Sequence, residues 1–393
     1  MLSPKDLIRN ALSQEGLVLV TAGNMAAVVL GALIWLVLAK LLPVNDYGRA
    51  NFFLSLGALV ASFTGLGLPT TVQTYLPKGE DGLVPPAVVL VTATSLAVSL
   101  PLALLHPSLP LIILSNSLFA LALKERLGRR KYRGFAVLQG VSRLSILALM
   151  LALVPVWGVD AVLYGFSAVY LALSIWLYLE VRDLRRGFQA IRNHMGFAFL
   201  SLLTGAVATM GVRLDKVLIG ALYGDATLGY YQLAFQFYTA MMVIPSSLGN
   251  YLLPEKASGK RTRLAELMGL GLSAVTAIAG FFAIPIVIEK LFPKFYPVSS
   301  EAAQIAALAI VFDAMFVIWS AGKYSEENPK AILLVNSFSL AVFVTLILIL
   351  GSSMGVIGLA AALLTYRAVA SLLGLMEGRI NAKTGTRVNA QRS

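Results

Sequence analysis

Long apolar runs alternate with short polar connections along the whole chain. The runs lie at about 16–42, 51–75, 84–105, 108–123, 134–155 and 159–180, and then at 196–222, 227–253, 264–289, 299–320, 331–350 and 354–376. A helix crosses the ~30 Å hydrocarbon core of a bilayer with ~20 apolar residues at 1.5 Å rise each. The pattern therefore predicts an all-α, polytopic membrane protein of about twelve transmembrane helices. The first run, Gly16–Leu42, is too long for the core of a secretory signal and no small-residue cleavage site precedes Pro43, so it reads as a retained span.

Composition and charge sharpen this picture. Only 13% of the 393 residues are charged, against about a quarter in soluble domains, so water is the wrong solvent for most of the chain. A net charge of +12 would suggest a nucleic-acid partner in a soluble protein, but here the cations sit between the spans. With the N-terminus inside, the inner segments hold 23 of the 31 Lys and Arg residues, and the outer connections hold four, Lys40, Arg49, Lys290 and Lys294. The positive-inside rule then places both termini in the cytoplasm and the chain in the cell membrane. Arg129-Arg130-Lys131-Tyr132-Arg133 reads as a topology anchor facing anionic headgroups, and no nucleic acid is expected. The absence of cysteine excludes disulfides and Cys-ligated metals.

The two halves carry matching punctuation. Pro43-Val44-Asn45-Asp46-Tyr47-Gly48 follows the first span, and Gly224-Asp225-Ala226-Thr227-Leu228-Gly229-Tyr230-Tyr231 follows the seventh. Gly48 and Gly229 are 181 residues apart, while Pro69 and Tyr75 match Pro245 and Tyr251 at an offset of 176. Pro43 should stop the first helix, Asp46 cap the second, and Tyr47 sit at the water–lipid interface. Pro69 and Pro245 each delete a helix hydrogen bond and should bend spans two and eight. Six spans separate the copies, which predicts two six-helix lobes related by a parallel repeat. The expected division is an N-terminal lobe over 1–180, a cytoplasmic linker over 181–195, and a C-terminal lobe and cytoplasmic tail over 196–393.

Ala39-Lys40-Leu41-Leu42-Pro43 with Asp46-Tyr47-Gly48, Tyr75-Leu76-Pro77, Arg213-Leu214-Asp215-Lys216-Val217-Leu218-Ile219-Gly220 and Leu228-Gly229-Tyr230-Tyr231 give the chain a family likeness. It resembles the polysaccharide or O-antigen repeat-unit flippases, the Wzx-type branch of the multidrug/oligosaccharidyl-lipid/polysaccharide exporter superfamily. The resemblance implies two lobes around a central cavity that move a polyprenyl-(pyro)phosphate-linked oligosaccharide from the inner to the outer leaflet by alternating access. Peptidoglycan-precursor flippases look similar but typically add two helices, which are missing here.

Ionisable residues inside spans are costly, on the order of 3 kcal/mol at the bilayer centre, and mark a cavity or a partner. They are Arg143, Arg213, Asp215, Lys216, Asp313 and Arg367. Four cations against two carboxylates suit a phosphate-bearing substrate, so Arg143, Arg213, Lys216 and Arg367 are the candidate ligands of a cationic cavity. Asp215 and Asp313 are candidates for ion coupling or structural pairing, and Asp215, opposite the Arg213/Lys216 face, is expected to meet a neighbouring helix. The polar residues Asn24, Asn51, Gln73, Gln232, Gln236 and Asn336 would bind sugar hydroxyls or join helices.

No phosphate-binding G-x-x-x-x-G-K-[ST] loop, G-x-S-x-G elbow or H-E-x-x-H pair is present, and no cofactor is implied. A transporter is expected rather than an enzyme. Its partners would be the lipid-linked substrate, the bilayer, H+ or Na+ as a coupling ion, and other polysaccharide-assembly proteins. The rival readings are a cation-coupled multidrug exporter, a peptidoglycan-precursor flippase, a membrane glycosyltransferase or ligase, and a non-transporting scaffold.

Overall fold

The computed structural model describes residues 4–179, 184–326 and 328–390, and among them every regular element is helical. In chain order these are α1 (Pro4–Leu41), α2 (Val44–Thr64), α3 (Leu68–Tyr75), α4 (Val84–Leu102), α5 (Leu109–Gly128), α6 (Tyr132–Ala172) and α7 (Trp176–Leu179). There follow α8 (Leu184–Asn193), α9 (Met195–Met241), α10 (Val243–Ala257), α11 (Arg263–Leu291), α12 (Val298–Ser325) and α13 (Pro329–Ala390). The start of the expected 181–195 linker and the last three residues of the tail lie outside the described residues.

Among the described residues, seven helices are long and apolar enough to cross a membrane, or eight if the bent α2–α3 pair is one span. Three of the seven run 48, 59 and 48 residues, too long for one crossing, since ~30 residues already span ~45 Å. Each of these three breaks at one glycine: Gly158 (φ 55°, ψ −133°) in α6, Gly224 (φ 83°, ψ 172°) in α9 and Gly355 (φ 59°, ψ −135°) in α13. A Cβ at Gly165 would lie 3.0 Å from Leu149 Cδ2, so the two arms of α6 fold back on each other. The arms of α13 do the same, because the Phe343 and Tyr366 rings stack at 4.9 Å. Taken arm by arm, with α5 and the α2–α3 pair, the helices account for the twelve expected spans.

The repeat prolines stand where the helices break. The α2–α3 pair bends by 56° immediately before Pro69, with Leu66 (φ 51°) and Gly67 (φ 68°) in the left-handed region. On the other copy α9 gives way to α10 at Met242, three residues before Pro245. Tyr47 differs from expectation. It is fully buried, with Phe295 edge-on to its ring at 5.6 Å, so protein and not lipid or water surrounds it. The edge-on ring contact favours enclosing the apolar body of the tyrosine.

The chain divides into two compact units, Met1–Leu42 with Arg49–Val217, and Pro43–Gly48 with Leu218–Ser393. In the first, α4 is central: Val84, Ala87, Val88 and Val91 pack against Leu68 and Val72 of α3 and Leu118 and Leu121 of α5. The linker helix α8 docks there, with Ile191 in the same cluster and Gly187 against Pro86. In the second, α12 is central and touches α10, α11 and α13. Its buried face includes Ala302, Ala303, Ala306 and Ala307, small side chains that let helices approach where lipid offers no hydrophobic driving force. The glycines of α11 serve mainly the same end, since Gly269 receives Leu248 and Gly280 receives Met241, while Gly271 faces open space.

Candidate functional site

The break between α2 and α3 opens a cavity of about 510 Å³ within the first unit. Gly67 makes it possible twice over, through its positive φ and because a Cβ there would lie 2.6 Å from Leu202 N and closer still to the Ala198 carbonyl. Four helices line the cavity: α2, α3, α5 and α9. Its wall is mostly small and apolar, with Ala58, Ala61, Ala120 and Ala208, and set into it are the polar Ser62, Thr70, Asn116, Ser117, Ser201 and Thr209 and two cations, Lys124 and Arg213. Among the described residues no carboxylate lines it.

A buried hydroxyl chain backs the break. Thr64 Oγ1 and Ser117 Oγ are 2.9 Å apart, Ser95 donates to Thr64 Oγ1 at 3.1 Å, and Thr94 donates to the Thr64 carbonyl at 2.7 Å. The Thr94 bond satisfies the Thr64 carbonyl at the broken end of α2, and the other two tie the hydroxyls to one another. Lys124 Nζ donates to Gln73 Oε1 at 2.8 Å, which aims a half-buried ammonium from α5 across to α3. Lysine and arginine present charge-assisted donors and the hydroxyls and amide present paired donors and acceptors, a set that matches phosphate and sugar together.

The four cations singled out in the sequence fare differently. Arg213 borders the cavity and lies within electrostatic range of Arg143, Tyr170 and Asp215. Arg143 Nε is buried without a hydrogen-bond partner among the described residues. Lys216 instead folds back on its own helix, donating to the Val212 carbonyl and to both Asp215 carboxylate oxygens at 3.0 Å. Asp215 thus meets the next residue in sequence. Arg367 belongs to the second unit, its Nε 3.3 Å from Asp313 Oδ1, while Tyr238 donates to Asp313 Oδ2 at 2.7 Å. The Arg367 guanidinium also lies 4.6 Å from the Tyr366 ring centre.

Lys124 was missed because in the sequence it opens the cationic run that follows the fourth apolar stretch, where a lysine reads as a topology anchor. The available signal was Gln73, an amide inside span two that needed a partner. Of the other polar candidates, Asn24 Oδ1 accepts from Gln139 at 3.4 Å, and Asn51, Gln232 and Gln236 are buried.

Comparison with known proteins fits this geometry. The profile of a family described as "Polysaccharide biosynthesis protein" matches residues 99–292. The EPS I polysaccharide export inner membrane protein EpsE of Ralstonia nicotianae (strain ATCC BAA-1114 / GMI1000) is 24% identical over 318 residues, covering 71% of this chain and 72% of that protein. Among solved structures, the lipid II flippase MurJ in an inward closed conformation superposes with a TM-score of 0.74 at 14% identity, over 92% of this chain and 87% of that one. An inward-facing multidrug resistance MATE family transporter of the MOP superfamily gives 0.62 at 16% identity, over 94% and 96%. These findings bear out the resemblance to polysaccharide flippases and the transporter fold, and they point to a transporter rather than an enzyme.

Proposed function

We propose that the protein is a flippase that moves a polyprenyl-(pyro)phosphate-linked oligosaccharide from the inner to the outer leaflet by alternating access of two six-helix lobes, 1–180 and 196–393. The observation that carries this reading is the cavity at the α2–α3 break, where Lys124 and Arg213 stand among hydroxyl and small apolar residues with no carboxylate among the described residues. Two cations with no carboxylate among the described lining residues repel a cationic drug and attract a phosphate, so this lining favours the glycolipid. Lys124 and Arg213 would hold the phosphates, and Asn116, Ser201 and Thr209 the sugars. Arg143, near enough to bear on Arg213 electrostatically, would add to the positive field.

In this reading both termini face the cytoplasm, as the distribution of Lys and Arg favours. Asp215 and Asp313 act as structural partners of Lys216 and Arg367, so a coupling ion, H+ or Na+, would have to displace a cation from one of them. Other polysaccharide-assembly proteins would deliver and receive the substrate. The test is binding to the purified protein by native mass spectrometry. A polyprenyl-pyrophosphate-linked oligosaccharide should bind, and Lys124→Gln with Arg213→Gln should weaken it about tenfold or more. Equal binding of the same glycan on an uncharged lipid would refute the phosphate assignment.

A further inference from the structure

The first unit holds another cavity, of about 570 Å³, at the turn between α5 and α6. Gly16 and Leu19 of α1 form one side, and Arg130, Lys131, Tyr132 and Arg133 the other. It exists because α1 and α6 approach closely at two glycines. A Cβ on Gly16 would lie 2.7 Å from Tyr132 Cδ2, and one on Gly23 would lie 2.9 Å from Ala136 Cα.

The turn's cations divide into two groups. Arg129 is held by Glu125 and by Asp81 at 2.9 Å, and Arg126 sits 3.7 Å from Glu125 and 3.9 Å over the Trp176 ring. Arg130 and Lys131 are exposed and have no carboxylate partner among the described residues. Arg130 is also set in the left-handed region at φ 57°, a conformation that a residue with a Cβ seldom adopts. Beyond this mouth both helices expose apolar side chains, Met25, Val29 and Leu33 on α1 and Val137, Val141 and Leu144 on α6. Uncompensated cations at a cleft that gives onto lipid-facing apolar surface match a ligand with an anionic head and long hydrocarbon tails.

We propose that this cavity binds the headgroup of an anionic phospholipid, with Arg130 and Lys131 on its phosphate and the acyl chains along α1 and α6. Among the described residues its lining has no amide and, Tyr132 apart, no hydroxyl, so a phospholipid suits it better than a glycan-bearing lipid. The site stands apart from the transport reading and needs no substrate.

Native mass spectrometry of the full chain in neutral detergent tests it, with phosphatidylglycerol and phosphatidylcholine of the same acyl chains as probes. Phosphatidylglycerol should be retained in preference, and Arg130→Gln with Lys131→Gln should lower its affinity about tenfold while leaving phosphatidylcholine unchanged. Arg130→Gly relieves the left-handed strain, so it should weaken phosphatidylglycerol binding with melting temperature held or raised, which separates binding from folding. Arg261→Gln, an exposed cation of the second unit, should bind like the wild type. Equal retention of the two lipids by the wild type, or an equal loss in Arg261→Gln, overturns the site. So does displacement of phosphatidylglycerol by inorganic phosphate or by equimolar polyprenyl phosphate, either of which would reassign it to that ligand.

Discussion

Gly48 and Gly229, equivalent positions of the two copies of the repeat, lie backbone to backbone in one unit: a Cβ on Gly48 would sit 2.7 Å from Gly229 N and closer to the Asp225 carbonyl. A Cβ on Gly229 would in turn crowd Val44, 3.0 Å from its Cγ1 and closer to its carbonyl. Because the obstacles are main-chain atoms, they cannot swing aside. Gly48→Ala or Gly229→Ala should each cost about 1–3 kcal/mol, read as a lower melting temperature in detergent. Gly31, with nothing within 4 Å, is the control, and Gly31→Ala should be neutral or slightly stabilising. Wild-type melting of Gly48→Ala would show that the segment does not pack as described.

Asp313 is 2% exposed between Tyr238 and Arg367, so removing either charge strands the other. Asp313→Asn and Arg367→Gln should each destabilise by about 3 kcal/mol. Asp313→Leu with Arg367→Met should be milder than either single change. If Arg367 instead binds substrate, Arg367→Lys would slow flipping at unchanged stability, and the structural assignment would fail.

His106 lies in the turn between α4 and α5, 2.7 Å from Ser108 Oγ and with Phe53 at 4.4 Å between ring centres. Burial, then the Arg49 charge, holds its pKa below the usual 6.5, against the opposing pull of Asp160. A histidine with a depressed folded pKa stabilises fully above its unfolded value and loses that contribution as pH falls toward the folded one. Melting temperature should therefore drop as pH falls below ~6.5, and less so in His106→Gln. The same slope in both proteins would remove His106 as the cause.

The spans, the breaks beside Pro69 and Pro245 and the paired glycines were legible in sequence, because hydropathy, a missing N–H and a missing Cβ act through local rules. The side-chain partners were less so. Lys216 and Asp215 are adjacent, and adjacent helix positions point ~100° apart, so only the reach of a long ammonium stem brings them together. Tyr47 carried an interface signal, yet Phe295, far along the chain, encloses it. Lys124 became a cavity residue only through the packing of α3 on α5, which no spacing along the chain reveals.

Orientation is open to direct labelling, since the chain has no cysteine of its own. Leu104 is 94% exposed and Ser352 is exposed, whereas Ser108 is fully buried and unsuited to a probe. Leu104→Cys and Ser352→Cys should react with an impermeant thiol reagent from outside intact cells, and Ser258→Cys only after permeabilisation. Outside labelling of Ser258→Cys would invert the topology.

The central claim is that the Lys124/Arg213 cavity serves transport of a lipid-linked oligosaccharide. Its most direct measurement is flipping of a fluorescent polyprenyl-pyrophosphate-linked oligosaccharide in liposomes, with folding of each variant checked by thermal stability. Wild-type protein should accelerate flipping over protein-free liposomes. Arg213→Lys should slow it, because an ammonium cannot copy the two parallel hydrogen bonds of a guanidinium, and Lys124→Gln with Arg213→Gln should reduce it about a hundredfold, near ~1.4 kcal/mol per lost charge. Flipping at the wild-type rate by the folded double variant would contradict the account.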